Sequence, residues 1–191
     1  MTDPISHDDD AAVEAMPASY SAGADQVDDA ERKRLTAERD RIRATYERPR
    51  DERPPSTARG VHHAALICAD VERTTAFYQE VLGFPLVTMF ENRDLPGSTH
   101  FFFDIGCGNT VAFFDLPGVD PGPYAEVLGG LHHLAISMEW EHWRTVKGRL
   151  DDAGIPYDHV DETSLYFRGP DGERLELIAD PLRWMYGHRV D

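Results

Sequence analysis

One short stretch occurs twice in this 191-residue chain, and the sequence stays in step after each copy. The first copy reads GVHHAALI and the second reads GLHHLAI. Gly83, in a Leu-Gly-Phe-Pro segment, follows His63 by 20 residues, and Gly154, in Ala-Gly-Ile-Pro, follows His133 by 21 residues. Such a repeat predicts a duplicated unit of strand, helix, glycine turn and strand. We therefore expect the functional site where the two units face each other.

The hydrophobic pattern predicts that both units are βαβββ modules in an α+β protein. In the first module, residues 60–116, we predict strands at 61–68, 84–91, 100–105 and 109–114, and a helix at 71–82. In the second module, residues 130–182, we predict strands at 131–138, 156–160, 164–168 and 173–179, and a helix at 141–153. Together the modules form one predicted domain at 60–182. In the C-terminal region, where residues 183–191 form the tail, we expect a short helix at 181–186 with Trp184 as an anchor.

The segment before the domain divides into two parts. Residues 1–27 are acidic and poor in large apolar side chains, so we expect disorder, because they cannot bury enough surface to offset the entropy of ordering. Residues 28–59 contain helix-forming residues and then three prolines, which predicts a charged helix and a proline-rich linker. Between residues 31 and 59 there are ten Lys or Arg residues against six acids. We expect a solvated helix laid against its own or a neighbouring domain.

The charge balance excludes several classes of partner. The formal net charge of −16 argues against nucleic acid or an anionic membrane surface as the main partner. No apolar run approaches the length of a membrane span, and the first thirty residues carry eight acids and no Lys or Arg, unlike a secretory signal.

The two cysteines, Cys68 and Cys107, make no disulfide framework, so we expect a cytoplasmic protein.

Strand alternation predicts which side chains share a face. In the first strand of each module, His63 and His133 lie on the side with smaller residues, which suits the lining of a cavity. In the last strand of the second module, Glu176 joins this side. Two imidazoles and one carboxylate on a concave face form a set suited to Fe(II) with open positions, so we predict these three as metal ligands. His62 and His132 point to the other side by alternation, and we expect them to be structural or to support the ligands.

The two modules resemble those of a known superfamily. The residues that carry the resemblance are His63, Asp70, Phe77-Tyr78, Leu82-Gly83-Phe84, His133 and the run GPDGERLEL that starts at Gly169. Over residues 60–182 this pattern is similar to the vicinal oxygen chelate superfamily, which includes glyoxalases, bleomycin- and fosfomycin-resistance proteins and extradiol dioxygenases. The resemblance implies paired βαβββ modules whose eight strands curl around a metal-bearing cup. It also implies that the three predicted ligands occupy the family's ligand positions.

The number of ligands separates branches of that superfamily. Its glyoxalases and epimerases usually add a fourth protein ligand from the last strand of the first module. Here Ala112 occupies the position in the first module that is equivalent to Glu176 in the second, and alanine cannot ligate a metal. Three ligands remain, as in the extradiol dioxygenases and the fosfomycin-modifying transferases.

Three further residues are expected to act in catalysis. His159 and Tyr166 match the extradiol signature, with Tyr166 ten residues before Glu176. We expect both to hydrogen-bond the substrate oxygens and to handle a proton. Ring-cleaving members of the family carry a base-like histidine in the last strand of the first module, where the best match here is Asn109. Its amide can donate a hydrogen bond to oxygen but cannot shuttle a proton at neutral pH.

The resulting hypothesis is an Fe(II) dioxygenase that uses O2 on a catechol-like or other vicinal-oxygen aromatic substrate, and we expect a homodimer. Half of the phenylalanines Phe101, Phe103, Phe113 and Phe114 should face the cup and give it an apolar pocket. One alternative is a glyoxalase-like lyase or isomerase, or a thiol transferase, that uses Mn(II) or another divalent metal as a Lewis acid. A second alternative is a binding protein that sequesters a small molecule between its modules.

Overall fold

The computed structural model of the protein describes residues 27–58, 60–179, 184–185 and 188–189. The disorder expected for residues 1–27 falls outside this part of the chain, apart from Val27. The chain divides into two compact units, Met1–Arg59 and Gly60–Asp191. Within the described residues, no helix combines the length and the apolar composition that crossing a membrane requires.

In the first unit, helix α1 spans Asp29–Tyr46. Asp28 caps this helix, since its side-chain oxygen accepts a hydrogen bond from the backbone N–H of Glu31 at 2.8 Å. Ion pairs one turn apart, such as Glu31–Arg34, lie along its surface. No residue of α1 is buried. The predicted charged helix is therefore present, and its apolar stripe is too thin to build a core in its own unit.

Each module of the second unit contains one strand, one helix and three further strands, as predicted. The first module consists of β1 (His63–Cys68), α2 (Val71–Ala76, continued by a π-helical turn at Phe77–Val81), β2 (Leu86–Glu91), β3 (Thr99–Asp104) and β4 (Thr110–Asp115). The second consists of β5 (Leu134–Met138), α3 (Trp140–Asp152), β6 (Tyr157–Val160), β7 (Ser164–Arg168) and β8 (Arg174–Ala179). Strand β5 begins three residues later than predicted, because the carbonyls of Leu131 and His132 accept hydrogen bonds from the Tyr124 hydroxyl instead of from a strand.

The two modules have the same strand order. Their sheets run β1-β4-β3-β2 and β5-β8-β7-β6. In each sheet the first strand pairs in parallel with the last, and the other neighbours are antiparallel. This shared topology confirms the duplication. In the described chain the eight strands form two separate four-stranded sheets, whereas the resemblance implied one curled sheet.

One hydrophobic core joins the helix sides of both modules. Its ten largest fully buried side chains are Tyr78, Leu82, Phe101, Phe103, Phe113, Trp143, Leu150, Leu165, Leu175 and Leu177. Phe113 pairs with Phe101 across β3 and β4, so it shares the helix side with Phe101 and Phe103. The expectation that half of the four phenylalanines face the cup is therefore wrong. Of the four, Phe114 alone turns to the other side of the sheet.

A buried carboxylate connects the two modules. The Tyr78 hydroxyl donates a hydrogen bond to Glu173 Oε1 at 3.0 Å, and the Asp171 N–H donates to Glu173 Oε2 at 2.9 Å. Arg73 forms an ion pair with Asp171 beside them. This carboxylate also explains why residue 169 is glycine, since a Cβ at that position would lie 2.0 Å from Glu173 Oε1. Burial raises the pKa of Glu173, and its hydrogen-bond donors partly oppose that rise.

The described residues of the C-terminal tail are extended. Trp184–Met185 (β9) pairs antiparallel with His188–Arg189 (β10). The short helix expected at 181–186 is therefore wrong at residues 184–185, whose backbone is bonded to a second strand. The other residues of that expected helix, and the side chain of Trp184, lie outside the described part of the chain.

We predict that Tyr78→Phe destabilises the protein, because it leaves a buried oxygen of Glu173 without its donor. The free energy of unfolding should fall by about 1–3 kcal/mol at pH 7, as measured by urea denaturation. Above its pKa the carboxylate is charged and needs the donor, so the loss should shrink as the pH falls through the raised pKa of Glu173. Tyr157→Phe, which removes a hydroxyl bonded to the exposed Asp151, is the matched control. Equal losses from both variants would contradict this account.

Candidate metal centre

In both modules, the first strand turns alternate residues outwards, on the side of the sheet opposite the core. Ala65 and Ile67 on β1, and Ala135 and Ser137 on β5, are exposed, whereas the residues between them are partly or fully buried. This confirms the alternation predicted from the sequence. We call the outward side of β1–β4, which includes Ala65 and Ile67, the module-1 face. The outward side of β5–β8, which includes Ala135 and Ser137, is the module-2 face.

His133 and Glu176 meet on the module-2 face. His133 Nε2 lies 3.3 Å from Glu176 Oε2, in keeping with the parallel pairing of Ala135 with Glu176. Glu176 is 5% exposed, and its Oε1 accepts a hydrogen bond from the Ser164 hydroxyl at 2.7 Å. One carboxylate oxygen is thus held by a serine, and the other lies beside an imidazole nitrogen. This arrangement suits two ligands of one metal ion.

Each of the two predicted histidine ligands, His63 and His133, contacts the histidine that precedes it through Nδ1. The two Nδ1 atoms are 2.7 Å apart in His132–His133 and 2.8 Å apart in His62–His63. Arg174 Nη1 lies 3.2 Å from His132 Nε2, and because a guanidinium only donates, His132 Nε2 is the acceptor. These contacts place His62 and His132 directly beside His63 and His133.

His63 holds the matching place on the module-1 face. Ala65 pairs with Ala112 across β1 and β4, as Ala135 pairs with Glu176 in the other module. Ala112 therefore stands where a carboxylate would be, as expected, and the first module offers an imidazole without an acid partner. The His63 ring packs edge-on against the ring of Phe102, with centres 5.7 Å apart.

The three predicted ligands do not come together within one chain. Among the described residues, no group of three or more His, Cys, Asp or Glu side chains is placed to hold a metal ion. His133 and Glu176 meet, but His63 lies on the other sheet, and both ligand-bearing faces point away from the shared core. Among the described residues, one chain therefore brings together two of the three predicted ligands.

Tyr166 lies on the module-2 face. It pairs with Glu176 across β7 and β8, and its ring centre is 5.7 Å from that of His133. The Arg174 guanidinium lies over the Tyr166 ring, 5.4 Å from its centre. The phenol is thus placed next to the two predicted ligands of this face.

The other two predicted catalytic residues lie elsewhere. His159 pairs with Leu165, a core residue, so the strand register turns it to the helix side, where its ring is 5.5 Å from that of Trp143. The Asn109 amide donates to two carbonyls at residues 106–107, at 3.1 and 3.4 Å, and holds the turn before β4. The strand register and this turn therefore direct both side chains away from the roles predicted beside the metal.

The sequence interpretation missed an aromatic cluster on the module-1 face. The cluster consists of Phe90, His100, Phe102 and Phe114. His100 stacks on Phe114 with ring centres 3.8 Å apart, and its Nε2 is buried without a hydrogen-bond partner among the described residues. Burial, and then the nearby charge of His63, lowers the pKa of His100. Alternation along β3 would have indicated that His100 and Phe102 share the face opposite the core residues Phe101 and Phe103.

Two relatives carry names that bear on activity. MhqA and MhqE of Bacillus subtilis (strain 168), both named as candidate ring-cleaving dioxygenases, are 25% and 31% identical to this chain over 139 and 128 residues. These matches cover 67% and 63% of this chain but 42% and 41% of the relatives. The chain thus spans about two fifths of the length of these two relatives.

A solved structure and a family model both match the two modules. The glyoxylase/bleomycin resistance protein/dioxygenase domain from Frankia sp. EAN1pec has the same fold, with a TM-score of 0.56 at 20% identity, over 69% of this chain and 96% of that one. The family model described as Glyoxalase/Bleomycin resistance protein/Dioxygenase superfamily matches residues 60–177. This match includes both repeats and more than half of the chain. The chain therefore belongs to the glyoxalase/bleomycin resistance protein/dioxygenase superfamily.

Proposed function

We propose that this chain is a divalent-metal enzyme whose metal centre forms between two copies. His63 of one copy, with His133 and Glu176 of the other, would supply the three ligands. The observation that carries this proposal is the His133–Glu176 pair on the module-2 face, which offers two ligands of one ion while His63 lies on the separate module-1 face. Superfamily members bind divalent metals and commonly form dimers, which supports the arrangement.

The edges and the composition of the two faces favour a second copy as the partner. Strands β1 and β5 each end a sheet, so each has one edge without a strand neighbour in the described chain. Ile67 on β1 and Phe90 on β2 are both 48% exposed, and apolar surface of this kind favours burial at an interface. A twofold axis would place the module-1 face of each copy on the module-2 face of the other. One kind of contact would then form two equivalent centres.

The ligand set favours Fe(II). Two neutral imidazoles and one carboxylate hold a divalent ion and leave coordination positions for other molecules. When bound, Fe(II) would supply Lewis acidity toward vicinal hydroxyls and redox chemistry with dioxygen. The role of the chain is to hold the ligands: Ser164 orients Glu176, and His132 orients His133.

The reaction we propose is oxidative ring cleavage of a catechol-like or other vicinal-oxygen aromatic substrate, with O2 as the second substrate. The names of the two Bacillus relatives support this reaction class. Tyr166, beside His133 and paired with Glu176, is placed to hydrogen-bond a substrate oxygen and to move its proton. The aromatic cluster on the module-1 face would give an aromatic ring an apolar surface to stack on.

A Lewis-acid reaction without oxygen is the second candidate. The observation in its favour is Asn109, whose amide is bonded within a turn and which offers no acid–base group where ring-cleaving members carry a histidine. In that case Mn(II) or another divalent ion would only polarise vicinal oxygens of the substrate, as in a lyase, isomerase or thiol transferase. Oxygen consumption separates the two candidates.

We predict that Tyr166→Phe lowers turnover by about 10²-fold or more, because the phenol is the acid–base group next to the ligand pair. The measurement is oxygen uptake with catechol and 4-methylcatechol by protein purified anaerobically and loaded with Fe(II), and metal content should stay unchanged. His159→Phe is the matched control, because its ring lies on the helix side and most activity should remain. A fully active Tyr166→Phe would remove the role given to Tyr166. Absence of oxygen uptake by the wild type would leave the Lewis-acid candidate.

Metal affinity tests the ligand assignment itself. Ser164→Ala should weaken Mn(II) binding by about 10–100-fold, because the Glu176 carboxylate loses the hydrogen bond that orients it. The dissociation constant can be measured by competition with a chromophoric chelator. Ser137→Ala, which removes an exposed hydroxyl from the same face, is the control and should bind as the wild type does. Equal affinities of the two variants would argue against Glu176 as a ligand held by Ser164.

A further inference from the structure

Three rings form a strip across the module-1 face: His63, Phe102 and His100. The Phe102 ring centre lies 5.7 Å from that of His63 and 4.3 Å from that of His100. The two imidazoles are therefore separated by one six-membered ring. Phe90 and Phe114 flank His100, with ring centres 5.2 and 3.8 Å away. The end of the strip farthest from His63 is thus aromatic, with one imidazole set into it.

His100 places a polar atom in this otherwise apolar end. Its Nε2 is buried and has no hydrogen-bond partner among the described residues. An unpaired buried nitrogen costs free energy, and nearly all such atoms in native proteins have a partner. The position of His100 among phenylalanine rings therefore indicates a partner beyond the described residues.

The second module shows how the equivalent position is used there. His100 and Ser164 hold matching places on the third strand of their modules. The Ser164 hydroxyl donates to Glu176 at 2.7 Å. In the first module Ala112 stands at the carboxylate position, so His100 has no acid of its own module to bond. Its hydrogen-bonding capacity is left for another molecule.

We propose that His100 recognises a polar substituent on the aromatic substrate, at the end of the ring opposite its vicinal oxygens. This inference rests on the proposed function, in which the vicinal oxygens lie beside His63. A six-membered ring stacked over Phe102 would reach from the His63 end of the strip to the His100 end. The preferred substrate class is therefore a catechol with a hydrogen-bonding group at position 4, in preference to an alkylcatechol.

The test compares two probes of similar size, 4-nitrocatechol and 4-methylcatechol, bound anaerobically to the metal-loaded full-length protein. Both bring the same vicinal oxygens, so the change in the ratio of their dissociation constants between variants reports the group at position 4. His100→Phe keeps an aromatic ring and removes both nitrogens. We expect it to reduce the preference for 4-nitrocatechol about tenfold, while 4-methylcatechol binds as before. His100→Leu should give the same loss with a smaller apolar side chain.

His142→Phe is the matched control, because it removes an exposed imidazole of α3 and should leave the ratio unchanged. If the wild type binds both probes and the ratio is unchanged in both His100 variants, this inference is overturned and the proposed function stands. Equal loss of both probes in the His100 variants would make His100 a structural residue and would also overturn it. A metal-loaded wild type that binds neither probe would overturn the proposed function and this inference together.

Discussion

The candidate site depends on the parallel pairing of the first and last strands in each module. Because β5 pairs with β8 in the register that sets Ala135 opposite Glu176, His133 and Glu176 meet on one face. A shift of one residue would turn Glu176 into the core and Leu175 out of it, so burial of the leucines fixes the register. The same register in the first module brings Ala112 to the carboxylate position. Two copies of one motif thereby provide different numbers of ligands.

The docking of the modules decides which faces remain open. Tyr78 and Arg73 reach from the first module to Glu173 and Asp171 of the second, and the helix sides of both modules share one core. The ligand-bearing faces consequently lie on the sides of the sheets opposite the shared core. A fold that is stabilised in this way separates His63 from the other predicted ligands, and a second copy would use the faces that the docking leaves open.

The strand faces were predictable from the sequence because alternation is a local property. It placed His63, His133 and Glu176 on the sides that the structure leaves outside the core. The docking of the modules was not predictable, because it depends on contacts such as Tyr78–Glu173 between residues 95 positions apart. Nothing in the periodicity of the chain indicates which two of the four sheet faces will share a core.

Local backbone structure also explains why His159 and Asn109 lie away from the positions predicted for them. His159 lies on β6, whose register against β7 is set by a turn in which Asp161 and Glu162 both have positive φ. Two consecutive non-glycine residues with positive φ are uncommon, so the face of His159 was not predictable from a motif. Asn109 was assigned by position in a strand, but the structure ends the turn there and begins β4 at Thr110. The sequence did not indicate a functional role for His100, because a single histidine next to three phenylalanines is typical of a strand in the hydrophobic core.

The central claim is that His63 completes a centre whose other ligands belong to a second copy. Mixing His63→Ala chains with Glu176→Ala chains under subunit exchange tests it most directly, because each variant alone lacks one ligand in every centre. In a mixed dimer one centre loses both ligands, and the other regains the intact His63 of one chain with the intact His133 and Glu176 of its partner. The account predicts that the mixed dimer binds about one metal ion, while each variant alone binds none tightly. Metal content in the mixture no higher than the average of the two separate variants would contradict it.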